Sequence, residues 1–223
     1  MDAVLPSSTP AHVVRTDGAD RGLVIVPDIW GLRPLFTDMC HDLAARTGWS
    51  VGTFDPFGGA ELPGAEDPEG FPARSAALKE LRDDALLADA VAVADATGCA
   101  QVGLIGFCMG GMYALKASST GRFDRIVSFY GMIEVPADWA GGGQGQPLDA
   151  LASRGSCEVM AVVGTADEWT PADKVEALAS SGVNVVAYEG AEHGFVHDPS
   201  RPTHRADDAA DAWDKALAFL DGL

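Results

Sequence analysis

The chain has 223 residues, 47% of them hydrophobic, with 33 acidic against 15 basic side chains and a formal charge of -18 at pH 7. This length and apolar content suit one large globular domain over 1–223, and the negative mean field disfavours nucleic acid and anionic lipid as partners. No stretch approaches the roughly 18 uninterrupted apolar residues of a membrane span, and the opening MDAVLPSSTPAHVV lacks the basic-then-apolar order of a secretion signal, so a cytoplasmic protein with no membrane partner is expected.

In chain order, β-rich runs at 22–27, 50–54, 101–106, 125–130, 158–163 and 184–188 alternate with helical patterns at 34–47, 76–97, 110–119, 171–180 and 205–220. Repeated strand–helix alternation predicts an α/β fold with a mostly parallel sheet flanked by helices. Two segments fit neither pattern: 56–72 is dense in Gly, Pro and acids, and 136–147 contains GGGQG. Both read as loops at the carboxyl edge of the sheet, where open α/β proteins bind ligands. The cysteines at 40, 99, 108 and 157 form no CxxC pair, so neither a metal site nor a disulfide framework is expected. Cys40, Cys99 and Cys157 read as small buried hydrophobes.

Cys108 differs from these three in its context. The run QVGLIGFCMGGMYAL is an apolar strand, then Gly106-Phe107-Cys108-Met109-Gly110, then a helical pattern. This is the G-x-nucleophile-x-G frame with Cys in place of Ser. A tight strand-to-helix turn lifts the nucleophile out of the sheet, and small flanking residues avoid backbone clashes. The same turn aims a helix N-terminus at the thiol, which favours the reactive thiolate.

An elbow nucleophile requires an acid and a histidine later in the chain, in that order. Asp167 follows an apolar strand in VMAVVGTADEWTP, and His193 lies in VVAYEGAEHGF before the last helix. His193 is placed to take the thiol proton and return it to a leaving alkoxide, with Asp167 fixing the imidazole tautomer. Glu168, Asp173 and Asp198 are the competing carboxylates, and each is less well placed than Asp167. Trp30 and Trp169 adjoin these segments as candidate pocket walls.

Gly106-Phe107-Cys108-Met109-Gly110-Gly111, Gly164-x-x-Asp167 with Pro171, and Glu192-His193-Gly194-Phe195 resemble the dienelactone hydrolase family over most of the chain. The resemblance implies an α/β-hydrolase domain without a large cap, a Cys-His-Asp triad of Cys108, His193 and Asp167, and no metal or organic cofactor. It also implies a small-molecule ester or enol-lactone substrate, the namesake reaction opening a dienelactone to maleylacetate. Pro27-Asp28-Ile29-Trp30-Gly31 is similar to the family segment whose acid partners the resting thiol. That role falls on Asp28, in place of the usual Glu. The backbone N–H groups of Ile29 and Met109 would form the oxyanion hole. The family's carboxylate-binding arginine beyond the histidine is replaced by His197, with Arg74, Arg201 and Arg205 as possible substitutes. The expected substrate-binding residues are therefore Trp30, His197 and Arg74. Two other readings stay open, a general carboxylesterase or thioesterase and a non-catalytic ligand-binding protein, as does the choice between monomer and homodimer.

Overall fold

Leu23, Val24 and Ile25 are wholly buried, as a strand covered on both faces requires. They belong to β3 (Arg21–Val26) in a computed structural model that describes residues 1–222. The other strands are β1 (Asp2–Val4), β2 (Pro10–Val14), β4 (Ser50–Phe54), β5 (Gln101–Phe107), β6 (Arg125–Phe129), β7 (Glu158–Gly164) and β8 (Asn184–Tyr188). They form one sheet in the order β1-β2-β4-β3-β5-β6-β7-β8. Strands β3 to β8 pair in parallel with one another, and β2 alone runs against the rest, antiparallel to both β1 and β4.

The helices are α1 (Pro34–Thr47), α2 (Gly70–Leu78), α3 (Asp83–Thr97), α4 (Met109–Ala117), α5 (Pro147–Ala152), α6 (Ala172–Ser180) and α7 (Ala206–Asp221). From β3 the chain moves outward through α1 to β4, then returns past β3 through α3 to β5. Right-handed crossovers in opposite directions put α1 and α3 on opposite faces of the sheet. Helix α7 joins α1, with Arg46 and Asp214 paired between them. It buries Ala209, Ala212, Ala216 and Leu220 along one stripe. Each buried Leu, Ile or Val contributes about 1.5–3 kcal/mol, so the two apolar faces of the central strands supply most of the fold's cohesion. The reversal of direction lies between β3 and β5, and it opens a crevice at their carboxyl ends. Among the described residues no helix is long and apolar enough to cross a membrane.

The α/β class and the six parallel strands agree with the sequence reading, while several local expectations are corrected. The helix expected over 76–97 is two helices. Pro72 fits inside the first turn of α2, where no intrahelical donor is required, and the chain breaks before α3 begins with Asp83 and Asp84 at its positive end. Loop 136–147 holds that break open: Asp83 N–H donates to the Gly143 carbonyl at 2.9 Å, and its carboxylate accepts from Gly145 N–H at 2.8 Å. The run expected to continue through residue 130 stops at Phe129, because Tyr130 turns to φ 39. The β1–β2 hairpin and the six-residue α5 were not anticipated; both are too short to carry a clear period.

Candidate active site

Cys108 sits between β5 and α4 at φ 57, ψ -121, a conformation that costs a non-glycine residue about 1–3 kcal/mol. The surrounding fold imposes it. Cys108 N–H donates to Phe129 O at 3.0 Å, and Met112 N–H donates to Cys108 O at 3.0 Å. The flanking glycines are required by contact: a Cβ on Gly106 would stand 2.0 Å from Gly110 O, and one on Gly110 would stand 2.2 Å from Val26 O. Only bare backbone lets the elbow close against β3.

His193 and Asp167 arrive on the loops after β8 and β7. His193 Nδ1 is 2.8 Å from Asp167 Oδ2, and Asp167 Oδ1 accepts Trp169 N–H at 2.8 Å. The Asp167 side chain is fully buried, so both carboxylate oxygens are held and the imidazole is fixed through Nδ1. The ring is also near enough to Cys108 for the charge of that residue to act on it. Burial opposes a charged imidazole, but the negative charge of Cys108 and the hydrogen bond from Asp167 outweigh it and raise His193 from 6.5 to about 10.

The Ile29 N–H lies in the turn after β3, and no described protein group accepts a hydrogen bond from it. The Met109 N–H is the first of α4 and has no partner four residues back. These two donors lie just beyond the carboxyl ends of the neighbouring strands β3 and β5.

Asp28 departs from expectation. Its carboxylate accepts Arg33 Nη1 at 2.6 Å and Arg33 Nη2 at 2.9 Å, Trp30 N–H at 2.9 Å, and His197 Nε2 at 2.9 Å. Four donors occupy about the four lone-pair positions an ionised carboxylate offers, which leaves none for a thiol. Burial opposes ionisation of Asp28, yet the hydrogen bonds from His197 and Arg33 hold it well below the usual carboxylate range. The resting-state thiol partnership is therefore corrected: Asp28 belongs to a buried ion pair.

His197 is corrected as well. Its side chain is fully buried, packed beside both Phe107 and Phe36, with Nδ1 on the Tyr130 hydroxyl. The ionised Asp28 carboxylate can only accept, so His197 carries its proton on Nε2 and donates it there, and Nδ1 accepts from the Tyr130 hydroxyl, whose oxygen also accepts His197 N–H at 3.3 Å. Burial lowers the imidazole further than Asp28 can restore it, so His197 is neutral and out of reach of a substrate carboxylate. It ties the turn after β3, the residue before Cys108 and the loop bearing His193 into one assembly. Sequence reasoning missed Tyr130 and Arg33. Tyr130 has the signal of standing at the end of a central strand; Arg33 has none.

Arg74 is not a free cation either. Its guanidinium donates to the carbonyls of Pro63 at 2.9 Å, Leu62 at 3.2 Å and Ile29 at 3.2 Å, and lies over the rings of Trp30 and Phe57. It pins the turn after β3 to the segment around Leu62 and Pro63. Arg205 pairs with Asp208. Arg201 packs against Gly194, next to His193, and makes no ion pair among the described residues. Trp30 stands beside Phe71 with ring centroids 6.4 Å apart, and Trp169 lies 6.3 Å from His193. A groove of about 350 Å³ between α1 and α7 reaches His197 from behind and touches none of Cys108, Asp167 and His193. Cys40, Cys99 and Cys157 are buried free thiols, and among the described residues no group of three or more His, Cys, Asp or Glu side chains could hold a metal ion.

The model of the dienelactone hydrolase family matches residues 9–223. A carboxymethylenebutenolidase of Rhodococcus opacus is 27% identical over 221 residues, covering 94% of this chain and 84% of its own. A Bradyrhizobium protein provisionally named a 2-oxo-3-(5-oxofuran-2-ylidene)propanoate lactonase is 26% identical over 210 residues, covering 89% and 82%. Among solved structures, a suspected dienelactone hydrolase of Klebsiella pneumoniae has a TM-score of 0.84 at 23% identity, covering 100% of this chain and 98% of that one. At that identity the likeness establishes the α/β-hydrolase fold.

Proposed function

The chain belongs to the dienelactone hydrolase family, hydrolases of esters and lactones, and from that premise we propose that Cys108 is the nucleophile of a two-step acyl transfer. The observation that carries the reading is the strained elbow at Cys108 facing a histidine whose other nitrogen is bound to the buried Asp167. The Cys108 thiolate attacks the ester carbonyl, and the Ile29 and Met109 amides receive the developing oxyanion. His193, charged at rest, protonates the departing alkoxide. Acylation removes the charge on Cys108, the main influence raising His193 against burial. The histidine then becomes a competent base and activates water for release of the acid. One ion pair thus supplies both the acid and the base.

A second reading within the family, an esterase for uncharged substrates, is favoured by one observation. His197 is neutral and buried, and Arg74 is committed to three carbonyls, so neither is available to clamp the carboxylate of a dienelactone. Steady-state hydrolysis of p-nitrophenyl acetate, dienelactone and an uncharged lactone of similar size tests both readings. Cys108→Ala is expected to reduce kcat by at least about a thousandfold; undiminished turnover in that variant refutes the nucleophile. A strong preference for dienelactone over the uncharged lactone refutes the second reading alone.

A further inference from the structure

Only four large hydrophobic side chains are exposed among the described residues: Met1, Val4, Phe71 and Trp169. The first two lie at the chain's start. Phe71 and Trp169 face each other across a single cavity of about 390 Å³, whose walls also include Pro72, Pro136, Ala137 and Trp139. Its two rims lead back to the reacting centre. Trp169 stacks on Trp139 at 5.3 Å and meets His193 at 6.3 Å on its other side. Phe71 meets Trp30, the neighbour of Ile29, at 6.4 Å. Through Trp169 and Phe71 the cavity adjoins both the loop bearing His193 and the turn after β3, although none of Cys108, Asp167 and His193 lines it.

We infer that this cavity is the binding site for an uncharged aryl group on the alcohol side of the substrate ester, an assignment that rests on the hydrolase reading above. The side follows from chemistry: His193 must protonate the leaving oxygen, and the cavity wall in contact with His193 is Trp169, so the leaving group lies against that wall. The aryl group follows from shape and lining, because flat rings pack well against offset aromatic faces and ligand sites are mostly apolar concavities. The absence of charge follows from Asp138, the one ionisable residue in the wall; no cation is there to receive an anionic substituent. The Ser75 hydroxyl also lies in the wall, buried without a hydrogen-bond partner, and it offers one hydrogen bond to a polar ring substituent. No covalent step is added: the aryl alcohol leaves as the protonated product.

The test compares kcat/KM for benzyl acetate and methyl acetate, whose alcohols are of similar acidity, in the wild type, Phe71→Ala and Ala137→Phe. Both altered residues are exposed, so neither substitution disturbs the core; the first removes a wall and the second fills the space. The benzyl-to-methyl ratio is expected to exceed about tenfold in the wild type, which is the worth of burying one ring-sized group, and to fall at least severalfold in both variants. A 4-carboxybenzyl ester is expected to lose most of the preference. Turnover of both esters with a ratio that neither variant moves overturns the aryl site and leaves the hydrolase reading standing. Failure of the wild type to hydrolyse either ester overturns both.

Discussion

The charge of Cys108 and the protonation of His193 are coupled, and the coupling is measurable. His193 is raised from 6.5 to about 10 in the fold, with Cys108 the largest influence acting against burial. A folded value above the unfolded one means that its stabilising contribution is complete below pH 6.5 and is lost as pH rises towards 10. In Cys108→Ala the ring is expected to titrate at lower pH than in the wild type, followed by NMR of the imidazole; an unchanged titration contradicts the ion pair. At this scale the legible features were positions at strand ends: Cys108, Asp167 and His193 follow β5, β7 and β8, and the fold pairs His193 with Asp167. Asp28 and His197 were misread because their partners are set by tertiary contacts that no local pattern encodes: 169 residues separate the two. Arg74 looked like a free cation because a sequence does not display three backbone carbonyls converging on a guanidinium.

Elements were legible where an apolar run was long or strictly periodic, as in β5, β7 and α7, and illegible where a distant loop dictated the break. The gap between α2 and α3 is such a case, since loop 136–147 and α4 both fasten to Asp83. Lys116 on α4 is buried, with Nζ 2.8 Å from Asp83 Oδ1 and 4.7 Å from the Tyr113 ring. Removing the carboxylate leaves a buried ammonium without its partner, whereas removing the ammonium leaves an acid that is 20% exposed and still bonded to Gly145 N–H. Asp83→Ala is therefore expected to destabilise by about 3 kcal/mol and Lys116→Met by less than about 1.5 kcal/mol. Urea unfolding of the two variants decides the matter, and equal losses would show that the desolvation argument is wrong.

For the whole molecule, 33 acidic against 15 basic side chains act on any charged substrate before it reaches the crevice. Screening over about 10 Å at 0.1 M salt weakens that repulsion. Raising the salt from 10 mM to 150 mM is expected to increase kcat/KM for an anionic lactone and to leave an uncharged ester unaffected; a rate for the anion that falls with salt would reveal a local positive field at the mouth. The elbow has a different consequence for the molecule as a whole. A side chain at φ 57 is strained, and under the proposed function that strain serves reactivity rather than folding. Cys108→Gly is thus expected to raise the melting temperature of the fold while abolishing turnover, and a lower melting temperature would show that the thiol contributes more by packing than it loses in strain. If the variant is more stable and inactive, the most durable form of this chain is an inert one, and the cysteine is held in place by its chemistry at the expense of the fold.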